Sequence, residues 1–313
     1  MTRTQWILGG ILLVQCALLA LVAPWSQRSN AGTPRPFLPA LEATTPGRIE
    51  IRGDEGKTLN LAREQGVWTL READGYPADT AKVDTLLSDL KKIQVRRPVV
   101  TSSRYHATLK VTESDAERRI RIYAEGGDDP VVDLLVGSSP NYGSTNVRLA
   151  GDDAVYDVRD LRTYDIRPDA GSWIDRKLVD VAAEDVAGIS IRAGSSTISL
   201  AKSGDAWSMT SPAGEADASK VDTWLRGVIG ILASEPAGKS DKPELGFDAP
   251  AATVELTRTK DGATDTIVLR VGAEVPGSEG QRYARRDGAS HAVTLSSWDA
   301  EKLLQKKPAD FKK

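Results

Sequence analysis

The sequence predicts an N-terminal transmembrane helix followed by two tandem homologous units of the α+β class. Each unit is expected as an antiparallel sheet with one main amphipathic helix and a short closing helix. Three observations carry this expectation: an apolar run over residues 6–23, a proline-rich stretch over 24–46, and a string at 78–87 that is written again at 216–225.

The run from Trp6 to Ala23 has Gln15 as its only strongly polar side chain. Eighteen residues at 1.5 Å each give about 27 Å of helix, enough to cross the hydrocarbon core. Trp6 and Trp25 bracket it at headgroup level, and Arg3 precedes it. The positive-inside tendency therefore puts residues 1–5 in the cytoplasm and the rest of the chain outside. A cleaved signal peptide would have a shorter apolar core and a small-x-small site. Cys16 sits inside the run behind bulky Gln15, which suits a membrane-buried thiol rather than a lipid-modified one. Residues 24–46 hold five prolines and no apolar period, as expected of a semi-extended spacer.

The duplication sets the domain boundaries. Ala78-Asp79-Thr80-Ala81-Lys82-Val83-Asp84-Thr85-Leu86-Leu87 returns as Ala216-Asp217-Ala218-Ser219-Lys220-Val221-Asp222-Thr223-Trp224-Leu225, seven of ten positions identical at an offset of 138. Ile49–Arg52 pairs with Ile189–Arg192, and Trp68-Thr69-Leu70 with Trp207-Ser208-Met209. The units then span 47–180 and 181–313. In each, strands alternating at period two lead to a helix capped by Asp79 or Asp217. Val83, Leu86, Leu87, Leu90 and Ile93 form one stripe of the first helix, and Val221, Trp224, Leu225, Val228, Ile229 and Leu232 extend the second. Further strands are expected at Thr108–Val111, Arg119–Tyr123, Val131–Val136, Asn146–Leu149 and Val155–Val158. Copy two gives Thr253–Leu256, Thr266–Val271, Arg282–Arg285 and Ala292–Leu295. Closing helices are expected near Arg159–Tyr164 and Ser297–Leu304.

The I-x-I-R strand, the W-T-L strand, A-D-x-x-K-V-D-x-L-L, Leu135-Val136-Gly137 and Trp173-Ile174-Asp175-Arg176-Lys177 together resemble a bacterial family grouped as "domain of unknown function 4340". The resemblance covers roughly residues 45–310 and implies a location beside gliding-motility-type ABC transporters. It carries over no catalytic residue. Copy two lacks the Trp173 equivalent in its closing sequence Lys306–Lys313, so that segment is expected to be degenerate.

Composition excludes several classes. Lys+Arg number 41 against 44 Asp+Glu with signs interspersed, and no basic face or run of a nucleic-acid binder is visible. One cysteine and two histidines make neither an intrachain disulfide nor a good zinc set. Asp128-Asp129 and Asp152-Asp153 lie in glycine turns, and the second becomes Asp287-Gly288 in copy two, so the turn is what both copies keep. Lys82/Asp84 and Lys220/Asp222 flank the apolar stripes and read as helix edges or a partner surface. Trp173, with Asp175 and Arg176, reads as packing between the copies or as a ligand contact. Tyr142 sits in the Gly137–Thr145 loop, which matches no phosphate-binding pattern. His106 and His291 have no nucleophile near them in sequence.

The expected function is non-enzymatic, with no catalytic residue, metal or cofactor. The chain is expected as a single-pass inner-membrane protein whose extracytoplasmic units serve as an accessory or scaffold subunit for integral-membrane transporter subunits. The alternative is a tethered receptor holding a small molecule or glycan between the repeats.

Overall fold

Ile49 and Ile51 alternate with polar neighbours, and both are fully buried in a strand that runs through the middle of a twisted sheet. The structure, a computed structural model, describes residues 32–53 and 55–313. The expected cytoplasmic tip, the apolar run at 6–23 with Cys16, and spacer residues 24–31 lie outside the described residues. Among the described residues no helix is long and apolar enough to cross a membrane.

The first unit contains β1 (Arg35–Pro36), α1 (Pro39–Glu42), β2 (Pro46–Gly53), β3 (Thr58–Glu64), β4 (Val67–Leu70), β5 (Tyr76–Pro77), α2 (Thr80–Lys92) and β6 (Gln94–Val95). It continues with β7 (Arg118–Ala124), β8 (Pro130–Val136), β9 (Ser144–Leu149) and β10 (Val155–Arg159). The second contains β11 (Val186–Ala193), β12 (Ser196–Ser203), β13 (Ala206–Ser211), β14 (Ala213–Glu215), α3 (Ala218–Ile229) and β15 (Pro236–Lys239). There follow β16 (Ala252–Lys260), β17 (Ala263–Glu274), β18 (Arg282–Arg286), β19 (His291–Leu295) and α4 (Ser297–Leu304).

Eight strands form one antiparallel sheet in the order β10-β9-β8-β7-β2-β3-β4-β5, and nine form the other in the order β14-β13-β12-β11-β16-β17-β18-β19-β15. Read from β14 to β19, the second sheet repeats the first from β5 to β10, with β15 added at its edge. The duplication is therefore structural as well as sequential. The molecule is sheet-rich, with few helices. On one face α2 lies against β4 and α3 against β13. Val83, Leu86, Leu87 and Leu90 of α2 are buried, as are Val221, Trp224, Leu225 and Val228 of α3. The opposite face carries cross-strand ion pairs. Arg119 holds Asp133 with two hydrogen bonds of 2.7 Å, Arg121 reaches Glu50 at 3.0 Å, and Arg270 holds Asp287 in the second sheet.

Three expectations are corrected. Described residues of the 24–46 stretch do not stand free: Phe37, Leu38 and Leu41 are buried in the core, and β1 pairs with β6. The prolines conceal apolar residues that have a surface to cover. Thr108–Val111 is not a strand, because Lys110 turns left-handed at φ 54° and the Val111 N–H donates to the His106 carbonyl. The strand equivalent to β16 is β7. Arg159–Tyr164 forms no α-helix; only a short 3-10 turn follows at Thr163–Asp165, whereas the expected Ser297–Leu304 helix is present.

Candidate functional site

Asp79 and Asp217 each accept two backbone N–H groups at the start of their helices, at 3.1 and 3.3 Å and at 3.0 and 3.2 Å. One turn on, the repeated lysines turn back over the cap. Lys82 Nζ donates to the carbonyls of Ser172 and Ile174, both at 3.2 Å, and Lys220 Nζ donates to the carbonyl of Lys312 at 2.8 Å. The cap residues complete the clamp: the Asp79 N–H donates to the Trp173 carbonyl at 2.7 Å and the Asp217 N–H to the Phe311 carbonyl at 2.8 Å. Phe311 thus stands where Trp173 stands, and both are buried. The closing segment of copy two is not degenerate; it keeps the clamp with Phe in place of Trp.

The aspartates of the repeated string split in role. Asp222 accepts the Trp207 indole N–H at 2.9 Å, whereas Asp84 is exposed beside Trp68 in a shallow depression.

A groove of about 650 Å³ runs along α2 against the chain that leaves sheet one, with Lys82, Leu86, Tyr164, Arg167, Trp173 and Arg176 among its walls. Tyr164 is 71% exposed, and the Arg167 guanidinium lies over its ring at 5.6 Å. Trp173 is a wall rather than a free ring, its indole N–H donating to the Arg167 carbonyl at 2.7 Å. The counterpart depression along α3 is smaller, about 410 Å³. There Trp224 replaces Leu86 and packs edge-on against Phe311, with ring centroids 5.5 Å apart.

Past Trp173 the same stretch joins the repeats. Arg176 Nε donates to the Ala233 carbonyl at 2.5 Å, the Ala233 N–H returns to the Arg176 carbonyl at 2.8 Å, and Lys177 bridges to Leu232. Gly171 donates its N–H to Glu235 at 2.7 Å and lies so close that a Cβ there would stand 2.1 Å from the Ser234 carbonyl oxygen. Burial raises the Glu235 carboxyl above its ordinary range, against the Gly171 hydrogen bond that lowers it. On the other side of the joint, Lys242 binds Asp74 at 2.6 Å and holds that carboxyl below its ordinary range. His291 packs against Tyr76 with the rings tilted by 60° and reaches the Asp74 carbonyl at 3.2 Å, so this histidine is a joint residue that its sequence context did not reveal. Asp175 is exposed and accepts the Lys177 N–H in a local turn.

The other singled-out residues scatter. Tyr142 is fully exposed at a loop tip. Its loop is fastened to the 105–111 segment, with the Ser138 N–H on the Leu109 carbonyl. His106 is buried, with Nε2 3.0 Å from the Asp153 carbonyl oxygen. Gly126, Gly151 and Gly288 take positive φ in the acidic turns. Among the described residues no group of three or more His, Cys, Asp or Glu could hold a metal ion. The structure therefore gathers Lys82, Trp173 and Arg176 at one groove, and leaves Asp84, Asp175, Tyr142 and the second-repeat pair elsewhere.

The family model described as "Domain of unknown function (DUF4340)" matches residues 68–215 and again residues 207–313. Both matches begin on an equivalent tryptophan strand, at Trp68 of β4 and Trp207 of β13. Nothing among curated proteins or solved structures matches the chain.

Proposed function

From the premise that the chain belongs to the DUF4340 family through both of its repeats, we propose that it is a membrane-anchored extracytoplasmic scaffold or accessory subunit of an ABC transporter of the gliding type. The anchor is the apolar run Trp6–Ala23, and the repeats form the body it holds against the integral-membrane subunits. One observation carries the reading. The longest string written twice, the Asp/Lys string, is used in both copies to fasten a closing segment to a helix. What was duplicated is a structural unit rather than a reactive site. The groove at Tyr164 and Arg167, open in repeat one and reduced by Trp224 in repeat two, is the surface offered to a partner.

A tethered receptor for a small ligand or glycan is the second reading, favoured by the aromatic walls of that same groove. The seam between the repeats is occupied by direct contacts at Gly171, Glu235 and Arg176, so the ligand would sit along α2 instead.

The test is affinity capture of the full-length protein from crosslinked native membranes, read by mass spectrometry beside a control anchor. Enrichment of permease and ATPase subunits is the expected result. No enrichment over the control would overturn the scaffold reading. Capture lost on Tyr164→Ala would locate the contact in the groove.

A further inference from the structure

A local excess of positive charge is hidden in the near-neutral total. Between Asp89 and Glu113 the chain has no acidic residue and six cations: Lys91, Lys92, Arg96, Arg97, Arg104 and Lys110. The fold brings part of it to one edge. Lys92, Arg96, Arg97 and, from β10, Arg159 line a depression of about 820 Å³, with Asp89, Asp157 and Asp160 on the same walls. Asp89 is engaged by Lys92 at 3.2 Å. Arg96, Arg97 and Arg159 are exposed, and among the described residues none of the three has an ion-pair partner. Further along the same acid-free stretch Val99 and Tyr105 are 54% and 41% exposed, and the Arg104 guanidinium lies 4.5 Å over the Tyr105 ring. Exposed apolar and aromatic side chains on a stretch of unpaired arginines form the composition that favours a headgroup interface.

The position of this edge matters as much as its composition. Gly32 lies against it: a Cβ on Gly32 would stand 3.7 Å from the Arg96 carbonyl carbon. Only eight residues separate Gly32 from Ala23, the end of the apolar run. Even fully extended, that stretch spans about 30 Å. The edge with the unpaired arginines is therefore the part of the molecule tethered nearest the bilayer. We infer that the Arg96–Arg97–Arg159 edge, with Val99, rests on anionic phospholipid headgroups and sets the standing orientation of both repeats. This rests on the anchor reading above. At the lysine-rich end of the chain Lys313 pairs with Glu215 at 3.2 Å, and the Lys312 carbonyl receives Lys220.

The test uses the full chain with Cys16→Ser and Val99→Cys, labelled at position 99 with an environment-sensitive dye. It is reconstituted into phosphatidylcholine vesicles with and without phosphatidylglycerol, each carrying a headgroup quencher. Expected are carbonate-resistant insertion into both and quenching that is several-fold greater on the anionic vesicles. Raised salt or the triple change Arg96→Gln, Arg97→Gln and Arg159→Gln should abolish the difference, with thermal unfolding of the triple variant unchanged. Equal quenching on both vesicles in an inserted protein would overturn the inference and leave the anchor standing. Failure to resist carbonate would overturn both. Competition by inorganic phosphate at matched ionic strength would reassign the depression to a soluble anion. Crosslinks from position 99 to a protein and none to lipid in native membranes would reassign it to an acidic protein.

Discussion

Trp173 and Phe311 occupy the same place in the two repeats: each is buried, and each gives its carbonyl oxygen to the N–H of the aspartate that caps its repeat's long helix. The ring supplies apolar cover and the backbone supplies the clamp, so the ring's identity is secondary. Trp173→Phe should therefore cost about 1 kcal/mol, since the Arg167 carbonyl loses the indole N–H. Trp173→Ala and Phe311→Ala should each cost about 3–5 kcal/mol through the cavity left behind. Denaturant melts of the variants check the order.

The caps should behave as independent equals. Asp79→Ala and Asp217→Ala each remove two accepted N–H bonds and should each cost about 0.5–2 kcal/mol. They act on different helices, so the double variant should lose their sum within about 0.5 kcal/mol. A clear departure from additivity in thermal unfolding would show that the helix starts are coupled.

Glycine at 171 is demanded by the joint, and glycine at 227 is not. A Cβ at Gly171 meets the Ser234 carbonyl oxygen, while one at Gly227 meets nothing within 4 Å. Gly171→Ala should destabilise by about 1–3 kcal/mol and expose the seam to protease. Gly227→Ala, inside α3, should stabilise by about 0.5–1 kcal/mol. Limited proteolysis and melting temperatures distinguish the two.

The joint carries opposite pH dependences. Burial raises the Glu235 carboxyl. Its contribution is therefore fully present below the unfolded pKa and lost as pH rises through the folded one. Asp74 is lowered by its hydrogen bond to Lys242, so its contribution is present above the unfolded pKa and lost as pH falls through the folded value. Glu235→Gln should flatten the stability profile on the rising side, and Asp74→Asn on the acid side. Melting temperature against pH for each variant is the check.

The periodic parts of the fold were legible in the sequence. Period-two isoleucines marked β2 and β11, the 3.6-residue stripe marked α2 and α3, and the repeated string aligned them. Local pattern failed where long-range contacts decide the conformation. Thr108–Val111 alternates like a strand, yet the left-handed Lys110 and the hydrogen bond from Val111 to His106 make it a turn. Phe37, Leu38 and Leu41 sit among prolines and show no period, but they find the core. The lysine clamp was invisible because Lys82 and Ser172 are far apart in sequence, and the Trp173–Phe311 equivalence was hidden by a change of ring. The basic edge was masked by averaging charge along the chain.

The most direct test of the central claim, that the duplication builds one scaffold body, is native-state hydrogen exchange of the full-length protein as denaturant is added. The core amides of β2 in repeat one and β11 in repeat two should reach the same opening free energy and open together. If β11 opened globally while β2 stayed protected, or the reverse, the repeats would be independent domains on a tether, contradicting the scaffold.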